Sequence, residues 1–235
     1  MPTILETIRQ TLAQRADPAR REGTRRFFKE PVEAYGVAAP QVKALAREII
    51  RETKTFSKEE LFSLCEDLWQ SGTLEESALA ADLAYARRKH FTSEDFAVFA
   101  GWVDKYVSNW AACDVLCTRA VGACLEAFPP CLKDLQKMTA SENRWTRRAA
   151  AVSLVAPGRR GLYLDAVFSI ADALLVDPDD MVQKGYGWML KSASNAHAEK
   201  VFAYVMEKKD RMPRTALRYA IEKLPPPWRE QAMTK

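Results

Sequence analysis

The stretch NWAACDVLC, residues 109–117, sets a large aromatic and a carboxylate four positions apart. On a helix Trp110 and Asp114 share one face a turn apart, with the small Thr118 next along it. A carboxylate beside an electron-rich ring is a setting for positive charge. Two other stretches are unusual in the same way. NRWTRRAAAVSLV places Arg144 and Arg148 at i,i+4 with Arg147 between them, followed by small alanines that permit close backbone approach. MVQKGYGWMLKSA places Lys184 and Trp188 at i,i+4 around Gly185 and Gly187. Each helix-interior glycine costs about 1 kcal/mol relative to alanine, so the pair points to close packing against a neighbour or a ligand. Each residue also has a plainer reading: Asp114 as a solvated acid, the tryptophans as core, Arg148 as an internal ion-pair partner.

The chain that must position these residues has 235 residues, 48% hydrophobic and 28% charged, a globular composition. With 9 glycines it has few tight turns and long regular elements. No apolar run reaches the roughly 18 residues that span a bilayer. The start MPTILETIRQ lacks a basic segment followed by an apolar core, so no signal peptide is expected and the cytoplasm is the expected compartment. Cys65, Cys113, Cys117, Cys124 and Cys131 are odd in number and read as buried reduced thiols. A zinc site needs about four ligands. His90 and His197 have no Cys or His partner at motif spacing, so no metal is expected.

The net charge of +4 is less informative than its distribution. Residues 19–29 carry five bases and one acid, residues 142–160 five arginines and one acid, and residues 205–223 six bases and three acids. Residues 59–82 carry seven acids and no base. Such asymmetry predicts one basic and one acidic surface, the basic one suited to polyanions; the alternative is that the charges only keep helix exteriors wet.

Helical periodicity dominates. Ile4, Ile8 and Leu12 form one stripe; Val42, Leu45, Ala46 and Ile49 form another behind Pro40. Ser57 with Glu60, Thr73 with Glu76 and Thr92 with Asp95 read as capping boxes. Further helices are expected at 110–127, 130–140, 143–155, 161–175, 179–193, 196–207 and 214–223, with a closing turn and loose end at 225–235. Helix pairs recur every 35–40 residues or so between 40 and 207, the spacing of stacked HEAT-type hairpins. The expected fold is therefore an all-α superhelical solenoid over 1–235: N-terminal helices within 3–29, about five antiparallel pairs over 40–207, a C-terminal helix, and a concave basic face.

NWAACD at 109–114, NRWTRRAAAV at 143–152 and VQKGYGW at 182–188 together resemble the AlkD-like branch of the DNA alkylation repair family. RRFFKEPVEAYGVAAPQVKALAREI and MPRTALRYAIEK look like that family too, and the resemblance extends from about residue 5 to 223. It implies HEAT-like repeats on a basic DNA-binding surface and release of N3- and N7-alkylated purines from duplex DNA without a cofactor. It also implies a monomer in the cytoplasm, nucleoid-associated when bound to DNA. The family's two tryptophans, aspartate and backbone-contacting arginine map onto Trp110, Trp188, Asp114 and Arg148. Arg144, Arg147, Lys184, Arg214, Arg218, Phe27 and Lys29 are the accompanying DNA-contact candidates; many relatives carry tyrosine where this chain has Phe27. On this reading Asp114 stabilises an oxocarbenium-like sugar or orients water. Two other readings share the scaffold: a non-catalytic binder of damaged or branched DNA, and a helical-repeat protein-interaction module. An acid in a phosphate-binding groove distinguishes the glycosylase from the non-catalytic DNA binder.

Overall fold

The computed structural model describes residues 2–234, which form helices joined by short connections, with no β-strand among them. One isolated parallel bridge joins Glu33 to Thr73. The chain divides into two compact units between Ala120 and Val121.

The first unit contains α1 (Ile4–Gln14), α2 (Pro18–Phe27), α3 (Ala39–Glu52), α4 (Lys58–Trp69), α5 (Leu74–Ala86), α6 (Asp95–Tyr106) and α7 (Trp110–Leu116). Their starts follow from capping chemistry. Thr3 and Ser57 close full capping boxes with Glu6 and Glu60. The other two expected boxes are only half formed. Thr73 accepts from the Glu76 N–H, but the Glu76 carboxylate turns away to Arg9 and to the Tyr35 hydroxyl. Asp95 accepts from the Thr92 N–H at 2.8 Å and also takes Lys58 at 2.9 Å, and its helix begins at Asp95 itself. Tertiary partners take the Glu76 carboxylate, and one shares the Asp95 carboxylate with the local Thr92 N–H. The core is an aromatic cluster in which Phe62, Phe91, Phe99 and Trp102 meet with ring centroids 5.1–6.3 Å apart, and Trp69 lies against Trp102.

Between α2 and α3 the chain is irregular, and a buried acid holds it. Glu75, 6% exposed, accepts main-chain N–H bonds from Tyr35 (3.0 Å), Gly36 (2.8 Å) and Val37 (2.9 Å). It lies in the first turn of α5, where the helix dipole favours negative charge. Glu76, 1% exposed, takes the Tyr35 hydroxyl at 2.7 Å; burial first, then this carboxylate, pushes the phenol up to about 12. Gly36 has φ +85°, and a Cβ there would lie 2.3 Å from the Asp17 carbonyl oxygen, so only glycine lets this connector pass the start of α2.

The second unit contains α8 (Gly122–Ala127), α9 (Leu132–Lys137), α10 (Arg144–Val152), α11 (Val155–Arg159), α12 (Leu164–Ala173), α13 (Asp180–Lys208), α14 (Arg214–Ile221) and α15 (Pro226–Met233). Here the boundaries depart from the sequence reading. The expected helix 110–127 is helical throughout but passes through a π-helical turn at Cys117–Val121. The expected helix 161–175 starts only at Leu164, because Tyr163 takes a left-handed conformation at φ 59°. Two expected helices fuse into α13 through a kink at His197 (φ −135°, ψ 49°), whose Nε2 lies 3.0 Å from the Gly161 carbonyl oxygen. The expected loose end is instead α15, fastened by Trp228 stacking on Phe202 with centroids 4.7 Å apart. The two helix-interior glycines pack as anticipated: α13 lies against α10 and α14, and a Cβ at Gly187 would sit 2.6 Å from Tyr219 Cβ and 2.8 Å from the Ala216 carbonyl oxygen.

Two substitutions test this packing by urea unfolding. Glu75→Ala, which strands three donors, is expected to lower stability by about 3–5 kcal/mol, whereas the exposed Glu59→Ala stays near wild type. Gly187→Ala is expected to lower it by about 1–3 kcal/mol through overpacking.

Candidate active site

In the first unit the site is built on α7. The side chain of the buried Asn109 accepts from the Ala112 N–H at 2.9 Å and fixes the helix start. Ala112, Cys113 and Leu116 then face the core, and α7 packs on α5. Trp110, Asp114 and Val115 are left half-buried along the open side. The Trp110 ring stacks on Phe28 with centroids 5.1 Å apart and planes at 17°. Phe27, 70% exposed, meets Trp110 edge-on at 6.0 Å. Lys29 follows on the surface. Phe27 and Trp110, both expected from sequence, thus meet in an aromatic wall one helical turn from Asp114. Phe28 was missed: adjacent aromatics at a helix end carry no periodic signal, and it is the C-cap geometry of Phe28 that turns its ring onto Trp110. The Thr118 hydroxyl, inside the π turn, donates to the Asp114 carbonyl oxygen at 2.6 Å. Such turns frequently accompany functional positions.

In the second unit the expected cations divide into two kinds. Arg148 is 5% exposed, and its Nη1 donates to the Met181 carbonyl oxygen. Gly185 makes room for it, since a Cβ there would lie 3.2 Å from Arg148 Cγ. Arg147 grips Asp177 through two nitrogens (2.7 and 3.3 Å) and donates to the Ser141 and Glu142 carbonyls. These two guanidiniums fasten the start of α10 to the segment around the start of α13. Arg144 pairs with Asp179 at 3.1 Å and lies over the Trp145 ring at 4.5 Å; Lys184 pairs with Asp180 at 3.0 Å. Arg214 and Arg218 are exposed on α14.

Trp188 is half-buried and lines a cavity of about 370 Å³ together with Arg159, Lys191, Ser192, Asn195 and Lys223. Lys191 is held by Glu222 at 2.9 Å, while Arg159 and Lys223 are exposed and form no ion pair among the described residues. Lys191 is a missed residue with a usable signal, one turn beyond Trp188; Lys223 lies on a separate segment and only the fold brings it there.

All five cysteines are buried, and burial pushes the Cys65 thiol far above its usual range. Among the described residues no group of three or more His, Cys, Asp or Glu side chains could hold a metal ion. Among the described residues no helix is long and apolar enough to cross a membrane.

The family model for the DNA alkylation repair enzyme matches residues 8–224. The chain belongs to the DNA alkylation repair enzyme family. A solved structure described as a predicted DNA alkylation repair enzyme from Enterococcus faecalis is similar in fold, with a TM-score of 0.81 at 21% identity, covering 90% of this chain and 98% of its own. A comparison with curated proteins gives no match. Membership makes DNA the substrate of this enzyme family and leaves the chemistry to be argued from the side chains.

The aromatic wall makes a testable demand. Stacked aromatic pairs contribute about 0.5–1.5 kcal/mol beyond burial, so Phe28→Leu is expected to lower unfolding stability by about 1–2 kcal/mol. Phe27→Ala, at an exposed ring, should be near neutral. Equal effects in the two variants, measured by chemical denaturation, would mean that Phe28 does not hold Trp110.

Proposed function

We propose that the protein is a DNA glycosylase that releases N3- and N7-alkylated purines from duplex DNA, acting as a monomer in the cytoplasm and on the nucleoid when bound. The observation that carries this reading is Asp114 one turn along α7 from an aromatic wall of Trp110, Phe28 and Phe27. Phosphate binding has no use for a carboxylate here, whereas cleavage of a cationic nucleotide does.

Alkylation at N3 or N7 leaves the purine positively charged. When the C1′–N bond breaks, the base departs with the bonding electron pair and becomes neutral, and the sugar becomes oxocarbenium-like. A carboxylate about 4 Å from that charge is worth roughly 4 kcal/mol at an effective dielectric near 20. Asp114 also orients the water whose oxygen bonds to C1′ and accepts the proton that water loses, so the products are a free alkylpurine and an abasic sugar. Trp110 offers its ring face to the cationic nucleotide. Phosphates position the strand without being read for sequence. The exposed Arg159, Lys223, Arg214 and Arg218 are suited to them, while Arg147 and Arg148 act by holding α10 and the start of α13 in place.

The test is single-turnover release of 7-methylguanine from a defined duplex. Asp114→Asn keeps shape and removes charge; it is expected to slow release by about 10²–10³ with DNA binding unchanged or slightly tighter. A wild-type rate in a folded, DNA-binding variant returns Asp114 to an ordinary surface acid.

A further inference from the structure

Ala112, Cys113 and Leu116 of α7 reach the core, but Val115, on the next face round from Asp114, does not. It borders a cavity of about 250 Å³ whose other walls include Val42 of α3 and Leu74 and Ala78 of α5. Atoms along a void have no dispersion partners on that side. Packing therefore holds one face of α7 and leaves its neighbour open, and apolar contacts alone do not fix how far the helix turns about its axis.

Polar contacts act there instead. Arg119 also lines the cavity, lies inside the π turn at Cys117–Val121, and pairs with Asp82 on α5. Both side chains are largely sheltered, and burial pulls the Arg119 guanidinium below its usual range. A sheltered cation without its carboxylate is costly, so the pair resists separation. The Thr118 hydroxyl and the Cys117 N–H converge on the Asp114 carbonyl oxygen, joining the turn to the acid. On the other side of the pair, α5 is a firm anchor. Glu75 and Glu76 bind its first turn to the irregular connector, and it packs on α3 and α4.

A π turn holds one residue more than an α turn. Residues before it are thus rotated by roughly 100° relative to those after it, compared with an unbroken α-helix. Where the extra residue sits decides where Asp114 points. We propose that Arg119 and Asp82 are positioning residues for the Asp114 carboxylate: their ion pair pins the π turn to α5 and sets the direction in which α7 presents the acid. This role rests on the reading of Asp114 as the group that stabilises the sugar cation and orients water, and neither Arg119 nor Asp82 touches the nucleotide. At an effective dielectric near 20, moving a unit charge from about 4 to about 5 Å from the sugar slows release about fourfold. Misdirected water raises the loss toward about 10²-fold.

The experiment is single-turnover release of 7-methylguanine from a defined duplex at saturating protein, with duplex affinity and urea unfolding measured on the same variants. Arg119→Met and Asp82→Asn each remove one charge. Each is expected to slow release by about 4- to 100-fold with duplex affinity little changed. Asp82→Asn keeps its shape and carries the test if Arg119→Met does not fold. Arg119→Lys keeps the charge and should recover most of the rate. In an Asp114→Asn background Arg119→Met should slow release no further, because the carboxylate it positions is gone; a purely structural role slows both backgrounds alike. Wild-type rates in both single variants, equal slowing in both backgrounds, or weaker duplex binding with an unchanged saturating rate overturns the proposal. A wild-type rate in Asp114→Asn removes the proposed chemistry instead. The crystal structure of Asp82→Asn then decides the pair by itself: a displaced π turn and Asp114 carboxylate support it, and both unmoved against α5 overturn it.

Discussion

The arrangement of the first unit depends on a buried carboxylate. Glu75 gathers the N–H groups of residues 35–37 at the positive end of α5, and with Gly36 pressed against the start of α2 it fixes a connector that has no regular structure of its own. Buried backbone donors need partners, and here one side chain satisfies three. Its charge is tolerable because those three donors and the helix dipole replace the water it loses. The end of α2 follows from this anchoring, and with it the ring of Phe28 against Trp110. A residue with no part in chemistry thereby sets the geometry of the wall beside Asp114.

The second unit solves its equivalent problem with missing side chains. Gly185 lets α13 approach Arg148 and Gly187 lets it approach α14, so the helix that carries Trp188 is clamped on two sides. The guanidinium of Arg148 is spent on a main-chain carbonyl in that clamp, and Arg147 on Asp177. Rigid positioning of an aromatic is the gain, while Arg159 and Lys223 stay exposed and form no ion pair among the described residues.

Much of this was legible in the sequence where period and chemistry agreed. The stripes of Ile8 and Leu12, and of Val42, Leu45 and Ile49, are core as read, and the paired glycines are close contacts as read. The aromatic at 110 and the acid at 114 share an open face of α7 because an asparagine cap starts the helix where NWAACD implied. What escaped was set by distant partners. Glu76 looks like a local capping residue, yet Arg9 and Tyr35 claim its carboxylate, and Asp95 shares its carboxylate between the local Thr92 N–H and the distant Lys58. The π turn after Leu116, the left-handed Tyr163 and the fusion of two helices through His197 leave no trace in hydrophobic periodicity, because each preserves the burial pattern while changing the backbone. Phe28 was invisible for a related reason: its partner Trp110 lies tens of residues away.

The central claim is that the carboxylate of Asp114 and the aromatic wall held by Phe28 act on the same cationic sugar as one site. A double-mutant cycle on single-turnover 7-methylguanine release, with Asp114→Asn and Phe28→Leu alone and together, tests it most directly. One site predicts non-additive losses, the double variant being slowed by clearly less than the product of the two single factors. Losses that multiply independently would contradict it.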